Sequence, residues 1–421
     1  MKEDFLHYVW RTKQISNYNL QTSNNKTIEI LNFGFYTQLQ GPDFFNALIK
    51  IDNQLWAGNV EMHVKSSDWY VHHHETDSNY NNVILHVVWD YDVDIFNASN
   101  QTIPTLIIKN YIDKNLLRKY KKLIKSPDLI NCSSQIHLTP QHIISQWKER
   151  IFMERLEYKI KPIEDFKNLT QSNWILITYM ALAKAFGLNT NGEIFKQMIF
   201  SIPENVISKV RHNLEDLEAL FLGMLNLLPS EAVTNYEENI TQKFKYITHK
   251  YNLKVQNFKP DFFKHRPDNF PTIRSMQLAK LIYENENLFD KIMSANNLDD
   301  LKNIFKVTAS EFWNSHYTFN TESPFKLKKT SNEFINLILI NAVIPLMYVY
   351  NKSINKEIID QLIGFLEFLP VENNNATKIF NKLQFPINSA FDSQVVLHLK
   401  LNYCDLNRCL ECAIGNSILK S

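Results

Sequence analysis

Apolar and polar positions change period along the chain, and the change divides it. Between residues 41 and 92 the period is two. From Asn59 to Lys65, Val60, Met62 and Val64 fall on one side of an extended strand, with Asn59, Glu61, His63 and Lys65 on the other. The turn signal Asp52-Asn53 just upstream predicts a hairpin of residues 44–51 with 56–65. Val83 to Trp89 is nearly all apolar and β-branched, as expected of a strand covered on both faces, and His86 interrupts it. Ile28 to Leu31 and Thr105 to Ile108 add short strands, for a mixed or antiparallel sheet of about five.

On either side the period is helical. The N-terminal MKEDFLHYVWRTK reads as a short amphipathic helix with Phe5, Tyr8 and Val9 inward, and Lys114 to Lys125 as a basic one with Leu117, Tyr120 and Ile124 inward. From about residue 138 onward the helical pattern continues, beginning with the stripe Trp147, Ile151, Leu156 and Ile160. Residues 173–186 form an apolar helix with Ser172 as cap and Gly187 as stop. Further helices are expected over Leu214–Leu228, Tyr236–Tyr251, Ile335–Val349 and Ile358–Leu369. The class is α+β: an N-terminal mixed sheet domain, 1–130, and a large mostly helical domain, 131–421.

Composition sharpens this. A chain of 421 residues that is 44% hydrophobic has material for a large core and more than one domain. A formal net charge of +1 argues against a whole-protein electrostatic grip on DNA, without excluding nucleic acid or small molecules as partners. The basic helix at 114–125 either holds a phosphate backbone or is a solvated face. The N-terminus lacks a basic start followed by an apolar run, so no signal peptide is expected. Phe334 to Tyr350 is only about 17 residues and carries Asn336, Asn341 and Pro345. It reads as a buried helix broken near Pro345, so a cytoplasmic chain with no membrane partner is expected. The sequence leaves the oligomeric state open.

The groups able to do chemistry concentrate in the alternating stretch: Asp43, Glu61, His63, Lys65, Asp68, His72, His73, His74 and His86, including five of the chain's thirteen histidines. Gly41-Pro42 brings Asp43 to the mouth of the hairpin, and Glu61 lies on its second strand. Paired carboxylates there suit Mg²⁺ or Mn²⁺, with His63 or Lys65 assisting an attacking water. His86 is either a core histidine bonded to a backbone carbonyl or a group that supports the metal or the chemistry.

An Asp at a strand start, a hairpin, and then Glu-x-Lys on the next strand resembles the PD-(D/E)xK phosphodiesterase superfamily. The resemblance implies that Asp43 and Glu61 are metal ligands. The match departs at its third position: His63 stands two after Glu61, and Lys65 two later on the same face. GPDF, GNVEMHVKSSDW, YNNVILHVVWD, RPDNFPTIR and the terminal YC-x4-CLECAIG resemble a bacterial domain-of-unknown-function family (DUF2851) over nearly the full length, which implies an architecture and no activity. Three functions follow. One is a metal-dependent phosphodiesterase or nuclease. Another is a non-catalytic binding or scaffold protein whose polar strand face is an interdomain network. The third is a histidine-ligated metal hydrolase using His63, His74 and His86.

Two further features stand apart. Cys404, Cys409 and Cys412 fall within nine residues, and the fourth cysteine, Cys132, follows the sheet segment. In a cytoplasmic chain this points to a metal before a disulfide, either Zn²⁺ or an iron–sulfur cluster, with Cys132 or His137 as fourth ligand. The alternative is four small packing residues. In the Pro-bounded stretch His265–Arg274, Arg266 and Arg274 flank the loop that leads into a helix starting near Thr272, as an anion site or a domain clamp.

Overall fold

The alternating stretch folds into one mixed sheet. Among the residues that the computed structural model describes (1–16, 19–37, 40–319 and 321–421), its strands are β1 Leu20–Gln21, β2 Thr27–Asn32, β3 Phe35–Tyr36, β4 Phe44–Ile51, β5 Gln54–Lys65, β6 Val83–Asp90 and β7 Thr105–Ile107. They lie in the order β1-β2-β4-β5-β6-β7, with β3 paired to the start of β4. β4 and β5 form the expected antiparallel hairpin, turning through Asp52 at φ 51°. β6 then runs parallel to β5, and β7 parallel to β6. A parallel neighbour requires a crossover, and residues 66–82 supply it, beginning with the short helix α2 (Asp68–Val71).

Two register shifts bracket the polar face of the hairpin, one between Phe44 and Ala47 on β4 and one between Asn59 and Val60 where β5 meets β6. Such irregularities bend a strand and re-aim its side chains. Gly58 permits the second, because a Cβ there would lie 2.4 Å from Ile84 Cγ2 and 2.6 Å from the Asn82 carbonyl oxygen.

The apolar face of the sheet is covered by α1 (Glu3–Arg11), which buries Phe5, Leu6, Tyr8, Val9 and Trp10 in the core that holds Val60, Met62, Leu85 and Val87. Phe5 stacks on Tyr120 of α3 (Lys114–Ile124), with ring centroids 4.2 Å apart. α3 buries Leu116, Tyr120 and Leu123, while the expected Leu117 and Ile124 are half-buried at the edge of that stripe. The other face departs further from expectation. The sequence gives no reason to bury Glu61 and His63, yet both are buried, because the crossover folds back onto them.

Contacts divide the chain into two units: Met1–Trp147 with Leu383–Phe385 and Leu399–Ser421, and Lys148–Lys382 with Pro386–His398. The C-terminal segment therefore belongs with the sheet, whereas the alternation of periods groups it with the helices. Leu410 and Leu419 explain this, since both are buried in the sheet unit's core.

In the helical unit, Trp174–Phe186 is apolar on most sides, as buried helices are, whereas Pro271–Glu284 is buried on most sides and takes Thr272, Arg274, Ser275 and Gln277 in with it. Asn173, rather than Ser172, caps the first, accepting the Leu176 N–H at 3.1 Å, while Ser172 turns left-handed at φ 65°. Asn332–Ser353 is long and apolar enough to cross a membrane, but 67% of its apolar window is buried inside the unit. Its expected break at Pro345 is absent. The helix runs unbroken, and a π turn over Leu339–Val343 immediately precedes the proline and takes up the local irregularity. Arg274 is buried within this unit, donating to Gln277 Oε1 at 2.7 Å with its guanidinium over the Phe334 ring; Arg266 is exposed.

Candidate functional site

Glu61 sits opposite His86 of β6, and Asp43 immediately precedes β4. Backbone amides pin both carboxylates: the Asp43 N–H donates to Glu61 Oε2 at 3.1 Å, and the Met62 N–H to Asp43 Oδ2 at 3.0 Å. His7 of α1 approaches from above, its Nε2 3.1 Å from Asp43 Oδ2. Glu3 is one helical turn before His7. Burial and the neighbouring Asp43 push the Glu3 carboxyl up to about 7. Burial works to lower the pKa of His7, but Asp43, Glu3 and Asp4 outweigh it, and the net shift is upward. Burial and Asp43 push Glu61 up to about 9. A carboxyl so placed stays protonated at neutral pH unless a cation ionises it.

The second oxygen of Glu61 faces imidazoles. Oε1 lies 3.4 Å from His74 Nε2 and 3.6 Å from His63 Nε2. His63 Nε2 is also 3.0 Å from His72 Nδ1, and His63 Nδ1 is 2.8 Å from His86 Nε2. One ligand atom each from His63, His72 and His74 can be chosen so that all lie within 4.8 Å of one another, the only such set of three or more among the described residues.

The crossover delivers these rings. Buried Ser66 donates to Asp92 Oδ1 at 2.8 Å and accepts the Asp92 and Val93 amides, while the Lys65 N–H caps onto Asp68 Oδ2 at 2.9 Å. Trp69 is fully buried with Tyr80, Val83, Ile95 and Ile103, its indole N–H on the Phe96 carbonyl. Beyond α2 the chain turns through His73 at φ 59°, a left-handed residue that sends its own ring to solvent, while His74 is buried and the exposed His72 reaches back to His63. His74 then stacks on Tyr80, with centroids 3.7 Å apart.

Burial and the facing imidazoles push His63 down to about 2, and burial and His74 push His86 down to about 3. Burial also lowers His74. These rings are neutral at neutral pH, the form that binds a metal. Ligand atoms about 2.0–2.1 Å from a tetrahedral ion lie about 3.3 Å from one another. The three separations 3.0, 3.4 and 3.6 Å among His63, His72, His74 and Glu61 bracket that value. The three imidazoles lie close enough to share one ion, with Glu61 beside His63 and His74, and the exposed His72 gives access from solvent.

Of the candidate residues, Asp43, Glu61 and His63 meet in one constellation. His86 lies behind His63 instead of at the point of convergence. Among His63, His74 and His86, the third corner therefore passes to His72. Lys65 ends β5 with an exposed side chain and takes no part in these contacts. His7, Glu3 and Tyr80 are members that alternation along the strand does not reveal. The only sequence signal for the first two is their spacing of four on the polar side of α1. Cys132, Cys404, Cys409 and Cys412 line one small cavity elsewhere in the sheet unit, and His137 is exposed and outside it.

Compared with known proteins, residues 3–375 match a family described as "Protein of unknown function (DUF2851)". No curated protein and no solved structure matches.

Proposed function

We propose that this chain, which belongs to the DUF2851 family, is a metal-dependent hydrolase of phosphodiesters whose cation is held by His63, His72 and His74 beside Glu61. The observation that carries this reading is the convergence of the His63, His72 and His74 ring nitrogens within 4.8 Å of one another, with Glu61 Oε1 beside two of them. Imidazole ligands favour Zn²⁺ or Mn²⁺ over Mg²⁺. The Mg²⁺ or Mn²⁺ expected between Asp43 and Glu61 is thus displaced toward the imidazole end of Glu61.

A cation held there supplies Lewis acidity at neutral pH. The chain's own residues do the rest. His86 fixes the ring orientation of His63 through its Nδ1. Asp43 orients His7, whose raised pKa keeps a proton available for a departing oxygen. The phosphodiester substrate, with nucleic acid as the polymer it implies, rests on the Asp, hairpin and Glu-x-His arrangement that resembles PD-(D/E)xK phosphodiesterases.

One observation favours a second, non-catalytic reading. His86, His63 and His72 make a continuous imidazole chain at 2.8 and 3.0 Å, and both carboxylates accept backbone amides, as in a purely structural network. Metal analysis together with hydrolysis of bis(p-nitrophenyl) phosphate, DNA and RNA separates the two. The expected outcome is one zinc or manganese that His72→Ala removes, and hydrolysis that Glu61→Gln abolishes with little change in Tm. A wild-type protein that retains no ion at this site, cleaves none of these substrates and unfolds on Glu61→Gln establishes the network instead.

A further inference from the structure

All four cysteines of the chain come together, and nothing in the hydrolase reading uses them. They are free thiols lining one small cavity, with Ile130 and Tyr403 as its apolar wall. Each arrives on a different local device. Cys132 opens a turn whose carbonyl accepts the Gln135 and Ile136 amides. Cys404 closes a π turn, Lys400–Cys404, and the chain reverses after it through Asn407 at φ 56°. Cys409 lies in the loop that follows, and Cys412 is the N-cap of the terminal helix Ala413–Lys420.

The packing of that loop onto the helix is built for closeness. A Cβ on Gly415 would stand 2.1 Å from the Cys409 carbonyl oxygen, so only glycine lets the two segments meet. Donors also face the sulfurs. The Asn131 amide is 3.6 Å from Cys409 Sγ, and the amides of Ile414 and Gly415 point at Cys412. Four packing cysteines would need no donors and would have no reason to share one cavity.

Distance selects between occupants. Four thiolates on one zinc, at about 2.3 Å each, stand about 3.8 Å apart. Among the described residues no three sulfurs lie within 4.8 Å of one another, since the histidine set alone meets that spacing. The ring of cysteines is therefore wider than a single ion needs, yet it encloses one space. Four cysteines that share one cavity without closing on a single ion suit a multi-iron cluster, which cysteine thiolates hold on more than one iron. We propose that Cys132, Cys404, Cys409 and Cys412 hold an iron–sulfur cluster that fastens the segment Leu399–Ser421 to the rest of the sheet unit.

The test uses the full chain, purified without oxygen and assayed for iron, zinc and acid-labile sulfide. Iron and sulfide in equal amounts, with a brown absorption that dithionite bleaches, are expected. Cys404→Ser and Cys409→Ser should lose the colour and expose the C-terminal segment to protease. His72→Ala should keep both iron and sulfide while losing the histidine-bound ion, so the cluster stands or falls separately from the hydrolase. Zinc without sulfide in the wild type overturns the proposal. So does metal-free wild-type protein with four thiols that titrate as free. Because both results come from the wild type, they hold even if the serine variants fail to fold.

Discussion

Glu61 uses its two oxygens differently, one on a backbone amide and one on imidazoles, and its proton reports which state the site is in. In the cation-free fold its carboxyl titrates at about 9, against about 4.3 in an unfolded chain. Between those values the folded chain binds the extra proton, so this group's contribution to stability falls as pH rises through that window. An ion that takes up Glu61 must expel the proton. Zinc titrated calorimetrically near neutral pH, in buffers of different ionisation enthalpy, should release about one proton more from the wild type than from Glu61→Gln. The difference should disappear above pH 9. Equal release from both proteins would place the ion away from Glu61. A second expectation concerns His86, fully buried and touching no proposed ligand atom except through His63. Replacing it with Gln should weaken metal binding about 10- to 100-fold without removing a ligand. No change would make the His63–His86 contact incidental. Glu61 and His63 were legible in the sequence because a period of two assigns faces, and Asp43 because Gly41-Pro42 leads it into the hairpin. His72 was not, because no periodicity says which ring of a turn comes back over the sheet.

At the level of elements, the site is a hairpin plus a crossover, and the crossover decides it. The strands could be read from their own residues: β4 and β5 lie within two residues of the expected hairpin, and β6 within one of Val83–Trp89. The crossover could not, since its anchors lie far away in sequence. Trp69 reaches the Phe96 carbonyl and packs on Ile95 and Ile103, positions that show no relation to it until the chain has folded. Trp69→Ala should therefore cost about 3–5 kcal/mol and release the metal at the same time, measured as a lower Tm with loss of bound ion. His73→Gly makes the contrast. Its ring is exposed and its backbone already left-handed, so glycine fits and metal affinity should stay at the wild-type level. A large affinity loss in His73→Gly would show that the third ring of the triplet, and not only the turn it makes, belongs to the site.

Across the whole molecule, the switch of period near residue 138 separates sheet from helices, but it cannot reveal that the last segment returns to the sheet. A local pattern carries no information on return over more than 250 residues; only Leu410, Leu419 and the three late cysteines hint at a second burial site for the terminus. In the structure, Leu399–Ser421 belongs to the sheet unit, and Leu410 and Leu419 are buried in its core. Each such side chain contributes about 1.5–3 kcal/mol on burial, against a net stability of about 5–15 kcal/mol for a typical domain. Removing both consumes a large share of that margin and also opens the core beside α1 and α3. A fragment ending at Trp147 should therefore fail to unfold cooperatively, as followed by near-ultraviolet circular dichroism and calorimetry. Co-expression with the segment 399–421 should restore the transition. Carrying Leu410→Ser and Leu419→Ser in that segment should abolish the rescue even with all four cysteines present, which separates apolar docking from any cluster. A fragment of residues 1–147 that melts sharply by itself would mean that the terminus rests on a core already complete without it.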